Sequence, residues 1–353
     1  MQLGIIGMPM VGKTTMFELL TGSSDKGSQG KAQTAIARIP DSRIDYLSGV
    51  FKPKKTTYAQ LEVVDIPGLT PGGEKNSALF LDAVRRADAL LHVVRLFDNE
   101  LVPYIYDSID PIRDIETINY ELLLSDLDLI EKRIERINSN KKRSQMLKEL
   151  GLLERLRDAL NEEKAISSVA INDDEQEIMS TYQFLTNKPL LICLNISENE
   201  ISLEEYPQKD RIMEYSRQTN IPVVAVSADI EREIAELEPA EKEIFLQDLG
   251  ITETGLAKIS RSMYQRLGLI SFFTVGEDEV KAWTIEAGTS ARKAAGKIHS
   301  DIERGFIRAE VVDYQVFKDL GSMVAVKEKG LFRLEGKEYV VKDGEIVHFR
   351  FNV

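Results

Sequence analysis

The chain has 353 residues, 43% hydrophobic and 29% charged, with a net charge of -13 at pH 7 and one cysteine. That size suits two or three cores, and a single cysteine excludes a disulfide framework. The negative charge excludes bulk coating of nucleic acid; no apolar run nears the roughly 18–20 residues of a membrane span, and MQLGIIGMPM lacks signal-peptide regions, so a cytoplasmic location is expected.

Gln2–Ile6 reads as a first, mostly apolar strand. Gly7-Met8-Pro9-Met10-Val11-Gly12-Lys13-Thr14 then matches G-x-x-x-x-G-K-[ST] in full. Met16, Phe17, Leu19 and Leu20 follow at helical spacing, and Gly22 supplies a C-cap. In this context backbone N–H groups cradle phosphate oxygens at a helix N-terminus. Met8 to Gly12 with Lys13, Thr14 and Thr15 are the candidate nucleotide-binding residues. Lys13 is expected to reach the β- and γ-phosphates, and the Thr14 hydroxyl to ligate Mg²⁺.

Gln60–Asp65 reads as another strand, ending in Asp65-Ile66-Pro67-Gly68, a D-x-x-G pattern. Asp65 stands where such proteins hold Mg²⁺, and the Gly68 N–H can approach a γ-phosphate. The next residue is Leu69, where many GTPases have the glutamine that orients the attacking water. Leucine cannot hydrogen-bond water, so slow intrinsic turnover is expected.

Ala89–Arg95, Pro189–Leu194 and Pro222–Val226 read as buried parallel strands. The motif positions fall at strand C-termini in the order of a doubly wound sheet, whose ligands bind at that edge. Asn195-Ile196-x-Glu198 and Ser227-Ala228 occupy the base-reading positions. One aspartate carboxylate can accept both N1–H and the 2-amino group of guanine. Glu198 is one methylene longer, which argues against tight guanine selection without itself selecting adenine.

Residues 121–160 interrupt the strand–helix rhythm. Leu127, Ile130, Ile134 and Ile137, then Leu150, Leu153, Leu156 and Leu160, predict two amphipathic helices around a polar turn. Lys141, Lys142 and Arg143 lie near its tip. After Gly268 short strands take over, at Ala282–Ile285, Val311-Val312, Glu338–Val341 and Val347–Phe351, with a helix around Ala291–Ser300. This pattern suggests a β-grasp module. Arg292, Lys293, Lys297, His299, Arg304 and Arg308 crowd part of it and form a candidate RNA contact. Trp283 is expected in its core.

The chain resembles the Obg-like ATPases of the YchF type along nearly its whole length. GMPMVGKTT, DIPGL, LNISE, VSADIEREIAELE, WTIEAGTSARKAAGKIHSDIERGFIRAEV and KEYVVKDGEIVHFRFNV carry the resemblance. It implies an α/β fold: a doubly wound P-loop NTPase sheet in two parts (1–120 and 181–268), an inserted α-helical hairpin (121–180) and a C-terminal β-grasp TGS domain (269–353). It implies ATP preferred over GTP, a hydrophobic residue at Leu69, and association with ribosomes or ribosomal RNA through the hairpin and TGS domain. A monomer is expected. Four features depart from the family pattern. Met10 replaces an asparagine whose amide serves a monovalent cation in related proteins. The segment Ser23–Ala37 is short, with Thr34 as the candidate second Mg²⁺ hydroxyl. The stretch after D-x-x-G is reduced to Thr70–Lys75, and Tyr104 stands where histidine is common. The expected function is a slow Mg²⁺-dependent ATPase switch; a nucleotide-dependent adaptor with negligible hydrolysis, or a GTPase, are the alternatives.

Overall fold

A strand buried on both faces needs a continuous apolar run, and the sequence supplies several. In chain order the strands are β1 (Gln2–Ile6), β2 (Gln33–Arg38), β3 (Lys55–Thr57), β4 (Gln60–Asp65), β5 (Ala89–Arg95), β6 (Leu190–Asn195), β7 (Val223–Val226), β8 (Leu269–Thr274), β9 (Glu279–Glu286), β10 (Phe306–Asp313), β11 (Arg333–Glu335) and β12 (Glu345–Phe351). The computed structural model describes residues 1–23, 33–69, 74–203 and 205–352. The loop after Thr70, with Gly72-Gly73, and most of Ser23–Ala37 therefore lie outside the described residues. The chain divides into two units, residues 1–35 with 62–256, and 36–61 with 257–353; the division falls within β2 and β4.

The first sheet has the order β2-β4-β1-β5-β6-β7. β1 pairs in parallel with β4 and β5, and β6 in parallel with β5 and β7. The C-termini of these five strands therefore share one edge. Every residue of β5 and β6 is buried. Helix Lys13–Thr21 follows β1 and ends at Gly22, whose φ of 64° closes it.

The insertion is a helical pair, Pro111–Asn138 and Leu147–Asn161. The first helix starts earlier than the apolar repeat suggests, because Asp110 caps it and Pro111 occupies its first position. The Asp110 carboxylate accepts from Ile112 N at 3.1 Å and Arg113 N at 3.2 Å. The pair has its own core: Ile130, Ile134 and Ile137 pack with Leu150, Leu153, Leu156 and Leu160. At its root, buried Asp126 accepts from Leu185 N at 2.9 Å and from Thr186 N and Oγ1, each at 2.8 Å.

The second unit contains the sheet β11-β10-β12-β8-β9-β3. β10 is antiparallel to β11 and β12, β8 is antiparallel to β9, and β12 and β8 run parallel. Helix Ala291–Ile298 lays Ala291, Ala294 and Ala295 on Ala309, Val311 and Phe349. It stops at Ile298; a second helix, Ser300–Arg304, starts with His299 as its cap. Trp283 packs on this core, its Nε1 donating to Thr274 Oγ1 at 2.9 Å. Glu338–Val341 is not a strand: Val340 makes one isolated bridge, to Ser290. Tyr339 turns its hydroxyl to buried Glu345 instead, at 2.5 Å. β3, from far earlier in the chain, completes the sheet in parallel with β9.

Candidate functional site

Five strand ends deliver the candidate residues to one edge. The glycine loop leaves β1 and turns into helix Lys13–Thr21 at Gly12, with φ 98°. A Cβ on Gly12 would lie 2.5 Å from Asn195 Nδ2, so only glycine lets the loop approach the base strand this closely. Met10 also adopts positive φ, 62°, and is half exposed. A non-glycine residue there carries a strain of about 1–2 kcal/mol. Met8 and Val11 are fully buried, Pro9 and Thr15 are half-buried, and Thr14 is exposed.

Lys13 is buried, and its Nζ donates to Met8 O at 2.8 Å. Burial pushes its pKa down to about 8, against the pull of the Asp65 charge. Thr14 Oγ1 donates to Asp65 Oδ2 at 2.7 Å. The other oxygen, Asp65 Oδ1, is buried with no hydrogen-bond partner. Burial raises the pKa of Asp65, although the Thr14 hydrogen bond and the Lys13 charge oppose it. A hydroxyl beside a carboxylate with an unused buried oxygen suits a small hard cation. Thr34, the other candidate metal hydroxyl, stands exposed in β2 and makes no hydrogen bond to this group among the described residues.

Gly68 lies against Lys13: a Cβ there would meet Lys13 Nζ at 2.8 Å and Pro9 N at 3.1 Å. Leu69 is wholly buried, and its N–H donates to Gly7 O at 3.3 Å. Its side chain is thus part of the core. Sequence reading missed His92, buried in β5 with neither ring nitrogen hydrogen-bonded. Burial and then the Lys13 charge push its pKa down to about 3, so it stays neutral. An uncharged histidine leaves Lys13 as the cation of the loop.

Asn195 joins three segments. Its Nδ2 donates to Val11 O at 3.1 Å, and its Oδ1 accepts from Ala228 N at 3.1 Å. Its backbone carbonyl accepts from Leu96 N at 2.8 Å and Phe97 N at 3.1 Å. Ile196 is buried and pairs with Val226 O at 2.9 Å. Ser227, buried, caps helix Ala228–Glu236, accepting from Ile230 N. Glu198 is exposed at the start of helix Glu198–Leu203. The structure therefore gathers the glycine loop, Asp65, Gly68, Asn195, Ser227 and Ala228, and leaves Glu198 in solvent and Thr34 apart.

Arg95 is a second residue that the motifs did not flag. Although buried, it donates to three carbonyls of its own loop: Phe97 and Val102 at 3.1 Å and Asn99 at 3.3 Å. Its guanidinium lies over the rings of Phe97 and Tyr104. The Tyr104 hydroxyl donates to buried Asp114. A charged residue ending an otherwise apolar strand was the available signal. The expected basic cluster of the second unit divides. Arg292, Lys293 and Lys297 lie on the helix that covers one sheet face. Arg308, beside inward-facing Ala309, points to the other face, as does its cross-strand partner Arg350. Lys141, Lys142 and Arg143 are exposed at the hairpin tip.

A glycine loop with a buried lysine, a paired threonine and aspartate, and an asparagine joining loop to base strand, all on one edge of a doubly wound sheet, define a P-loop nucleoside triphosphatase of the GTPase type. Residues 2–130 match the family described as 50S ribosome-binding GTPase. Residues 269–352 match YchF-GTPase_C, described as a protein of unknown function (DUF933). Ribosome-binding ATPase YchF of Bacillus subtilis is 42% identical over 361 residues, covering 99% of both chains. Its namesake from Haemophilus ducreyi is 43% identical over 360 residues, again covering 99% of each. The solved YchF GTPase of Schizosaccharomyces pombe superposes with a TM-score of 0.88 at 31% identity, over 99% of this chain and 97% of that one. The chain belongs to the YchF family. No helix among the described residues is long and apolar enough to cross a membrane.

Proposed function

We propose that the chain is a slow, Mg²⁺-dependent ATPase that acts as a switch on ribosomes in the cytoplasm. The observation that carries this reading is Thr14 bonded to Asp65 beside buried Lys13. Lys13 would exchange its bond to Met8 O for phosphate oxygens, and the loop N–H groups would hold the rest. Thr14 and Asp65 would hold Mg²⁺, which supplies positive charge against the β- and γ-phosphate oxygens. The Gly68 N–H would face the γ-phosphate, since no side chain intervenes. Buried Leu69 contributes nothing to orienting water, which keeps turnover slow.

Asn195 Nδ2 has a second proton, which suits N7 of either purine. Base choice therefore falls to other groups, Ile196 and Glu198 among them. The relatives named above are called ATPases, and Glu198 disfavours the guanine pattern, so we assign ATP over GTP. Their names also supply the ribosome as partner. The hairpin tip and the 269–353 module, read as a TGS domain, are the contact surfaces we assign, on a monomer. The complete burial of Leu69 also favours an adaptor that binds ATP and barely hydrolyses it. Paired calorimetric titrations with Mg·ATP and Mg·GTP test the assignment; tighter GTP binding overturns it. Single-turnover hydrolysis with and without ribosomes separates switch from adaptor.

A further inference from the structure

Between the loop that follows β5 and the segment that follows β6 lies a cavity of about 610 Å³. Its walls come from residues 95–111 and 197–208, all in the first unit. That volume is within the range of pockets that hold small organic molecules. Among the described residues, none of the glycine loop lines it, and neither do Asn195, Ile196, Glu198, Ser227 or Ala228. The cavity is therefore separate from the nucleotide site, although Leu96 and Ser197 of its wall adjoin the ends of β5 and β6. Its walls are already built. Tyr104 and Tyr106 meet edge to face, with centroids 6.1 Å apart. Tyr104 donates to Asp114, and the Arg113 guanidinium lies 3.8 Å over the Tyr106 ring while donating to Asp114 at 2.9 and 3.1 Å. Val102, Pro103, Ile109 and Pro207 add apolar surface.

The charge of the lining selects the ligand. Asp98, Glu100, Asp107 and Glu200 place four carboxylates around the cavity, against the one cation Arg95 among the described residues. Arg95 is directed to the carbonyls of Phe97, Asn99 and Val102 and not to these carboxylates. Glu200 accepts from Ser197 N at 3.0 Å. Asp98, Glu100 and Asp107 are exposed, and among the described residues their side chains have no ion pair or hydrogen bond. Carboxylates gathered around a concave wall concentrate cations there. Among the described residues, no three of them converge as a metal ion requires, so one small ion cannot serve them together. A flexible chain with separated ammonium groups can. Each ammonium reaches its own carboxylate, while the methylenes between lie along the prolines, Val102 and the tyrosine rings.

We infer that this cavity is a second ligand site, which binds a linear aliphatic polyamine beside the nucleotide. The site stands whether or not the nucleotide is ATP. Calorimetric titration of the full chain with spermidine, at about 50 and about 150 mM salt, tests it. Saturable binding of one spermidine per chain is expected, weaker at the higher salt. A triple variant, Asp98→Asn with Glu100→Gln and Asp107→Asn, removes the exposed charges and should raise Kd at least about fivefold. A control triple, Glu131→Gln with Glu135→Gln and Glu177→Gln, removes as many exposed charges outside the cavity and should change Kd less than about twofold. ATP affinity of the cavity variant should stay within about twofold of wild type. No saturable binding at millimolar spermidine overturns the site. An equal loss in the control triple reassigns the binding to bulk charge, and butylamine bound as tightly as spermidine reassigns it to an apolar cleft. Trilysine bound more tightly than spermidine replaces the small molecule with a basic peptide. A matching loss of ATP affinity in the cavity variant overturns the separation from the nucleotide site.

Discussion

Replacing Asn195 tests whether its amide joins the glycine loop to the base strand. The side chain is 4% exposed and bonds Val11 O and Ala228 N, both at 3.1 Å. Asn195→Ala leaves one carbonyl and one N–H without partners among buried residues. Each such loss costs about 1–3 kcal/mol, so the variant should lose about 2–6 kcal/mol. Asn195→Asp is more informative. Its carboxylate still accepts from Ala228 N, but faces Val11 O acceptor to acceptor unless protonated. Burial raises the pKa of such a carboxyl above its unfolded value of about 3.9. The protonated acid favours the fold at low pH, and that contribution is lost as pH rises through the raised pKa. The aspartate variant should therefore fall further below wild type at pH 8 than at pH 5. Urea unfolding without nucleotide measures this by circular dichroism. Trp283, the only tryptophan, lies in the second unit, so its fluorescence provides an internal control. A loss under about 0.5 kcal/mol for the alanine variant, with a pH-independent deficit for aspartate, refutes the reasoning.

Three further predictions concern the glycine loop. Lys13, at about 8 in the free protein, is pulled up by phosphate, so ATP binding should take up protons near pH 8–9. Affinity should fall as pH rises above 8, and calorimetry in buffers of different ionisation enthalpy reads the uptake directly; a variant with Ala at position 13 should show neither effect. Gly68→Ala drives a methyl against Lys13 Nζ and Pro9 and should cost about 1–3 kcal/mol of ATP binding, about 5–150-fold in Kd by titration. Met10→Asn suits the positive φ better and should stabilise the nucleotide-free protein by about 0.5–1 kcal/mol, seen as a higher melting temperature.

Much of the nucleotide site was legible because its chemistry is local. The glycine loop needs its residues at fixed spacing, and strands buried on both faces announce themselves as apolar runs such as Leu190–Leu194. The second unit was harder to read. β3 is only Lys-Thr-Thr, and nothing in three polar residues says that they pair with β9. Arg43 and Asp343 meet across a separation of 300 residues. Glu338–Val341 carries an apolar stretch like a strand's, yet it makes an isolated bridge, Val340 to Ser290, and no ladder. The basic cluster read as one patch because sequence proximity hides which sheet face a side chain takes; alternation along β10 sends Arg308 away from the helix that carries Lys293. Arg95 did leave a signal, a charge at the end of an apolar strand, whereas His92 was hidden within that strand because burial leaves no pattern of its own.

The Asp126 clamp bears on how this protein can be taken apart. One carboxylate holds the backbone of Leu185 and Thr186, 59 and 60 residues further along the chain. The path out along the hairpin and back thus begins and ends at nearly one point, and its interior is packed on itself. Closing so short a gap with a tight turn costs less loop entropy than the excursion it replaces. The arm is therefore a cassette: a shortened chain, an exchanged hairpin or a circular permutant opened at its tip can each be built without stretching the strands that carry the nucleotide site.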